Sequence, residues 1–96
     1  MEFLIVAYDG TDSGAQQRRL AAREAHLADA AKLKKRGILI EGGAILNEEG
    51  QMIGSTLYMN FNNREELQEW IDNDPYTKGN VWEKIEVSPI RLVKFP

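Results

Sequence analysis

The chain has a single histidine, His26, which lies in the middle of a predicted helix. An imidazole changes its protonation near neutral pH, so it can give or take a proton during a reaction. Ala22, His26 and Ala30 share one edge of that helix, which places the imidazole at the boundary between core and solvent, where a pocket could open. On spacing alone, a structural histidine with a satisfied hydrogen bond is the favoured interpretation.

Three further residues could contribute to a site. Asp74 is a carboxylate that follows a predicted helix and is held by Pro75, although Asp before Pro is also an ordinary way to end a helix, and sequence alone favours that role. Ser55 offers a hydroxyl on a predicted strand, but an outward-facing polar residue is the commoner explanation. Tyr76 could line a pocket, or it could simply fill the core.

Composition and missing motifs exclude several functional classes. With no cysteine and one histidine, a conventional zinc site is improbable, and we expect no metal. The glycine-rich loops that bind dinucleotides or nucleoside triphosphates are missing, as is the nucleophile elbow of serine hydrolases, so we expect no cofactor. The net charge of −3 and a pI near 5.1 argue against nucleic acid as a partner.

The first half of the chain predicts a strand, a long helix and a second strand. Residues 2–8 are mostly apolar and precede a turn-rich segment. Good helix formers then run from 15 to 36, and Gly37 suits the left-handed position after the helix. We expect Leu20, Leu27, Ala30 and Ala31 to form the core-facing stripe of this helix. Residues 38–46 follow as a strand whose paired glycines, 42 and 43, favour a bulge or a close approach to the backbone.

The second half predicts a hairpin, a shorter helix and a last strand. Residues 52–61 alternate apolar and polar side chains and should pair antiparallel with 38–46. Asn63 and Glu66 match a capping box that opens a helix with an apolar face. Proline 75 should stop this helix, leaving 74–80 as a loop. Proline 89 should interrupt the last strand, so that 90–95 continues after a bend or pairs with a partner subunit.

This order of elements, β-α-β-β-α-β, is that of the ferredoxin-like α+β sandwich, with two helices on one face of an antiparallel sheet. At 96 residues, we expect one domain spanning 1–96. A second copy could cover the other face of the sheet, so a homodimer is expected. The first residues lack the pattern of an export signal, and no segment is long enough to span a membrane, so we expect a cytoplasmic protein.

Five short motifs together resemble the YciI-like (YCII-related) family, and their order and spacing match nearly end to end. They are Arg23-x-x-His26-Leu27, Gly37, Gly42-Gly43, Gly54-Ser55-Thr56 and Asp74-Pro75-Tyr76. The resemblance implies a dimeric α/β barrel of ferredoxin-like protomers in which His26 and Asp74 meet in a pocket. One departure is that the family often has a proline between the arginine and the histidine, where this chain has Glu24-Ala25. Glu and Ala suit a helix interior better than Pro, so the geometry should not suffer.

If His26 and Asp74 meet as the resemblance implies, the carboxylate would orient the imidazole and form a general acid/base dyad with it. Ser55 or Tyr76 could then position a substrate oxygen, and Arg23 could pair with an anionic group. The expected reaction is proton abstraction from a small cyclic substrate, followed by elimination or isomerisation. Two alternatives stay open: a non-catalytic small-ligand-binding or accessory domain, and a cofactor-free oxygenase of the dimeric α/β barrel type.

Overall fold

The computed structural model describes all residues from Met1 to Pro96 and contains a single four-stranded antiparallel sheet with its helices on one face. The elements, in chain order, are β1 (Glu2–Asp9), α1 (Ala15–Lys35), β2 (Leu39–Leu46), β3 (Met52–Asn60), α2 (Arg64–Asn73), α3 (Pro75–Lys78) and β4 (Trp82–Ile90). The strand order is β2-β3-β1-β4. The predicted ferredoxin-like α+β fold is confirmed, with the four-residue α3 as an addition.

The core lies between the sheet and the helices, and β1 runs through its centre. Alternate residues of β1, Phe3, Ile5 and Ala7, are almost fully buried toward the helices. Ile5 pairs with Leu57 on β3 and with Val87 on β4, so the apolar layer continues across the three strands. This period of two is what a strand with one covered face requires.

The helix α1 turns a different side to the sheet from the one predicted. Leu20 and Leu27 are 57% and 45% exposed, whereas the buried residues of the helix are Ala15, Arg19 and His26. The predicted apolar stripe was therefore wrong. The buried side of α1 covers a cavity whose lining includes the polar side chains of Arg19 and His26, so these side chains take inward positions. The predicted end of α1 is confirmed, because Gly37 adopts the left-handed conformation with φ +76°.

The predicted β2–β3 hairpin is confirmed, but the bulge is not where the glycines predicted it. The register shifts lie between Leu39 and Glu41 and between Ile45 and Leu46. The other expectation for the glycine pair, a close approach to the backbone, fits Gly42, where a Cβ would lie 3.3 Å from the carbonyl oxygen of Thr56.

The start of α2 follows the predicted capping pattern with one change. The Asn63 side chain accepts a hydrogen bond from the Glu66 amide at 2.9 Å, but the Glu66 carboxylate accepts from the amide of Asn62, one residue before the cap. The segment predicted as a loop after α2 contains α3, because Asp74 caps a new helical turn that begins at Pro75. Proline is favoured at the first position of a helix, so Pro75 ends one helix and starts the next.

The last strand, β4, continues through Pro89, so the predicted interruption was wrong. It pairs only with β1 and forms an edge of the sheet, where a proline can be accommodated because one side of the strand needs no ladder partner. Residues 91–96 follow outside the sheet, so the predicted continuation to 95 was also wrong. None of the helices combines the length and the apolar character needed to cross a membrane.

Candidate functional site

His26 and Asp74 are in direct contact. The imidazole Nδ1 lies 2.8 Å from Asp74 Oδ2, and the two side chains are 8% and 2% exposed. His26 comes from the middle of α1, and Asp74 from the junction between α2 and α3, 48 positions along the chain. The packing of α1 on α3 therefore brings the two groups together.

The surroundings of this pair fix the orientation of both groups. Asp74 Oδ2 also accepts a hydrogen bond from the Tyr76 amide at 3.0 Å, so the cap of α3 holds the carboxylate. The Tyr76 ring stacks on the imidazole, with centroids 3.9 Å apart and planes 15° apart, and the Trp82 ring meets it edge-on at 5.9 Å. An imidazole packed between two aromatic rings has little freedom to rotate.

The contact with Asp74 determines the tautomer of the neutral imidazole. An ionised carboxylate can only accept hydrogen bonds, so the hydrogen of His26 resides on Nδ1. The lone pair then lies on Nε2, which has no hydrogen-bond partner within the chain. This arrangement can take a proton at Nε2 while Asp74 stabilises the imidazolium that forms.

A second buried ion pair lies nearby, between Asp9 and Arg19. Asp9 is the last residue of β1, and its two carboxylate oxygens lie 2.9 and 3.0 Å from Arg19 Nη1. The other terminal nitrogen of Arg19 donates to Ser55 Oγ at 3.0 Å, and the guanidinium carbon lies 4.7 Å from the centroid of the Tyr76 ring. Burial raises the pKa of the Asp9 carboxyl, while the hydrogen bonds and the charge of Arg19 act in the opposite direction.

A cavity of about 200 Å³ lies beside these groups, between α1 and strands β2 and β3. Its apolar walls come mainly from leucine, alanine and glycine residues of those elements. Its polar lining residues are Arg19, Arg23, His26, Ser55 and Tyr76. The glycine pair of β2, residues 42 and 43, forms part of the wall.

The structure places four of the five site residues predicted from the sequence, namely Arg23, His26, Ser55 and Tyr76, in the wall of this cavity. Asp74 is in contact with His26 but does not line the cavity itself. Ser55 is buried and faces the helices, so the interpretation of this residue as an outward-facing polar residue was wrong. Burial raises the pKa of the Tyr76 phenol. No three histidine, cysteine or carboxylate side chains cluster so as to hold a metal ion.

Sequence reasoning missed Asp9 and Arg19, although the sequence carries a signal for each. Arg19 precedes Arg23 by four residues and His26 by seven, which puts all three on one side of the helix. Asp9 continues the period of two that buries Phe3, Ile5 and Ala7. A carboxylate and a guanidinium at inward positions could therefore have been recognised as a buried pair.

The comparisons with known proteins agree on one family. The sequence model of the YCII-related domain matches residues 1–91. Protein YciI of Escherichia coli is 35% identical over 99 aligned positions, which cover 97% of this chain and 99% of that protein. An uncharacterised protein of Haemophilus influenzae is 32% identical over the same shares.

One solved structure is similar in both fold and sequence. It is the 5-chloro-2-hydroxyhydroquinone dehydrochlorinase of Burkholderia phenoliruptrix in complex with 2,5-dihydroxybenzoquinone, with a TM-score of 0.82, 30% identity, and coverage of 95% of this chain and 94% of that one. A Mycobacterium tuberculosis protein with a TM-score of 0.59 and 13% identity, covering 98% of this chain and all of its own, shares the fold alone. With the family model matching almost the whole length and curated relatives above 30% identity, the chain belongs to the YCII-related domain family.

Proposed function

We propose that this protein is an enzyme in which His26 and Asp74 act as a general acid/base dyad on a small cyclic substrate. The observation that carries the proposal is the buried 2.8 Å contact between the two side chains beside a cavity, which leaves Nε2 of the imidazole free. A histidine that only filled the core would not need to line a cavity. The reaction class is proton abstraction followed by elimination or isomerisation.

In this mechanism His26 Nε2 removes a proton from a carbon of the substrate, and Asp74 stabilises the resulting imidazolium through Nδ1. The electron pair of the broken C–H bond forms a new double bond. In an elimination, a leaving group departs from the neighbouring carbon with its own bonding pair. In an isomerisation, the imidazolium returns the proton to a different carbon.

The substrate class follows from the size and lining of the cavity. About 200 Å³ lies below the usual 300 to 1,000 Å³ of ligand pockets and suits a single ring. Ser55 and Tyr76 would bind a substrate oxygen, and the more exposed Arg23 would pair with an anionic group. The related dehydrochlorinase performs an elimination on a small ring and was solved with a quinone bound, which supports this class.

We also propose that the protein acts as a homodimer in the cytoplasm, without a nucleic-acid or membrane partner. The face of the sheet turned away from the helices carries Leu4, Val6 and Tyr58, which are only half-buried in one chain. A second copy placed against this face would remove them from water. Sedimentation equilibrium should give twice the chain mass, and a monomer at micromolar concentration would contradict this part of the proposal.

The catalytic proposal is tested by halide release from a panel of chlorinated hydroquinones and hydroxyhydroquinones. We expect His26→Asn to lower kcat by about 10²- to 10⁴-fold, the range for losing a general base. Asp74→Asn should also lower it strongly, because an amide can hold the opposite tautomer of the imidazole. Asp72→Asn is the matched control, since Asp72 is an exposed carboxylate near the end of α2, two residues before Asp74, and this variant should turn over normally.

Two further readouts separate this proposal from the alternatives. In ¹⁵N NMR, the single histidine should carry its hydrogen on Nδ1 in the wild type and lose that preference in Asp74→Asn. Undiminished turnover by His26→Asn would rule out the dyad. Ligand binding without turnover of any panel member would favour a non-catalytic binding domain, and oxygen uptake with hydroquinones would favour an oxygenase.

A further inference from the structure

The hydroxyl of Ser55 is held by two hydrogen-bond donors. Its Oγ accepts from Arg19 Nη2 at 3.0 Å and from the indole Nε1 of Trp82 at 3.2 Å. Ser55 is 3% exposed and lines the cavity. These two contacts decide what the hydroxyl can offer to a ligand.

A serine hydroxyl has two lone pairs and one hydrogen. The guanidinium and the indole can only donate, so together they occupy both lone pairs. The Ser55 hydroxyl must then donate its hydrogen to a third group. No hydrogen bond within the chain has this hydroxyl as its donor. Ser55 lines the cavity, where a ligand could supply this acceptor.

The two donors cannot readily turn away from Ser55. Arg19 is fixed because both oxygens of Asp9 bind its Nη1, and its guanidinium packs over the Tyr76 ring. Trp82 is 7% exposed and packs against Tyr76 and Trp70. Because Arg19 Nη2 donates directly to Oγ, the positive charge of Arg19 also polarises the Ser55 O–H bond and makes the hydroxyl a stronger donor.

We propose that Ser55 is an obligate hydrogen-bond donor, and that the cavity therefore selects a ligand with an acceptor oxygen: a ring carbonyl, an enolate or a phenolate. The inference rests on the proposed function only in taking the cavity as the substrate site. In that reaction, removal of a proton from the carbon next to a carbonyl moves negative charge onto the carbonyl oxygen. Ser55 then donates to the oxygen on which the charge develops, as an oxyanion hole does.

The test compares three fluorinated rings of nearly equal size by ¹⁹F NMR titration. Pentafluorophenol is bound as the phenolate and offers an acceptor, pentafluoroaniline offers mainly N–H donors, and hexafluorobenzene offers neither. The wild type should bind the phenolate at least about tenfold more tightly than the aniline, since a hydrogen bond to a charged group contributes this much. Hexafluorobenzene reports the shape of the cavity alone.

Three variants isolate the role of Ser55 from the charge of Arg19. Ser55→Ala should reduce the preference for the phenolate about tenfold, and Ser55→Thr, which keeps the hydroxyl, should restore it. Trp82→Phe frees one lone pair of Ser55, so the aniline should gain affinity relative to the phenolate while Arg19 is unchanged. Equal hexafluorobenzene affinity in wild type and variants shows that the cavity has kept its shape.

Equal binding of phenolate and aniline by the wild type would overturn the proposal, as would an unchanged preference in Ser55→Ala. Failure of all three rings to bind would also count against it. The test does not depend on turnover, because His26→Asn should keep the phenolate preference while losing catalysis. A surviving preference with no activity on any substrate would remove the proposed function and leave this inference standing.

Discussion

Two aspartate–arginine pairs hold the start of α1, one to the end of β1 and one to the turn that follows β1, and they differ mainly in burial. Asp12 and Arg18 form two contacts of 2.7 Å, with side chains 57% and 30% exposed. Asp9 and Arg19 form contacts of 2.9 and 3.0 Å, with side chains 4% and 3% exposed. The arginines are consecutive, so a turn of about 100° around the helix separates a surface pair from one in the site.

The environment gives the two carboxyl groups opposite pKa directions. The Arg18 guanidinium hydrogen-bonded to Asp12 holds the pKa of that carboxyl well below its usual range. Burial raises the pKa of Asp9 in spite of Arg19. Attraction outweighs desolvation at the surface, where water still solvates both charges, and desolvation outweighs attraction inside. The comparison indicates that the surface pair fastens a turn, whereas the buried pair orients Arg19 toward Ser55.

The largest effect is expected from Asp9→Asn, which keeps the shape of the side chain but leaves Arg19 as an unpaired buried charge. Removing one partner of a buried ion pair costs about 3 to 5 kcal/mol, so the free energy of unfolding should fall by that order. Urea unfolding monitored by tryptophan fluorescence measures the change. The preference of the site for an acceptor ligand should fall as well, because Arg19 is no longer fixed.

The matched comparison is Asp12→Asn under identical conditions, because it removes the carboxylate of the exposed pair in the same way. If Asp9→Asn unfolded at the wild-type urea concentration, burial would not be what distinguishes the two pairs. A second variant, Asp9→Asn with Arg19→Met, removes both charges. It should recover part of the lost stability without recovering the ligand preference.

A smaller effect on stability is expected from Tyr76→Phe, and only at alkaline pH. Tyr76 packs against Arg19 of the buried pair. Burial is the main cause that raises the Tyr76 pKa above its usual 10.0, so the folded state disfavours the phenolate. A raised pKa contributes stability below the unfolded value and loses it as pH rises through the folded value. Wild type should therefore lose more stability than Tyr76→Phe between about pH 8 and about pH 11.

Urea midpoints for both proteins across this range give the measurement, and Tyr8→Phe serves as the control because Tyr8 is exposed. The three proteins differ only at position 8 or 76, so only the difference between their curves is informative. Parallel curves for wild type and Tyr76→Phe would mean that the phenol ionises as freely in the folded chain as in the unfolded one.

The sequence predicts the element order well because its signals are local. Gly37 with its positive φ and the side-chain cap at Asn63 are set by a few neighbouring residues. The inward side of α1 was predicted wrongly because hydrophobic periodicity assumes that only apolar side chains point inward, whereas Arg19 and His26 point inward here and line a cavity. The interruption at Pro89 was also predicted wrongly. A proline is tolerated in β4 because β4 is an edge strand, and the position of a strand in the sheet is a property of the whole fold.

The site residues differ in how much of their contacts the sequence could predict. His26 and Asp74 are 48 positions apart, and no periodicity connects them; their pairing came from resemblance to a family. Asp9 and Arg19 have the correct periodicity but the wrong polarity for a core, so a hydrophobic pattern passes over them. The two donors on Ser55 come from α1 and β4, and only the folded chain brings them together.

The smallest effect is expected from Asp12→Asn, which keeps the hydrogen-bonding shape and removes the surface charge. Both partners remain solvated, and an exposed pair also loses side-chain freedom, so the urea midpoint at physiological salt should not change measurably. The depressed pKa of Asp12 means that any contribution is present above the unfolded value of 3.8 and is lost only as pH falls further. A difference from wild type should therefore emerge only at low salt and neutral pH, and it should shrink when salt is added. A large loss that salt did not reduce would show that the surface pair is as structural as the buried one, because screening reaches charges in water and not those in the core.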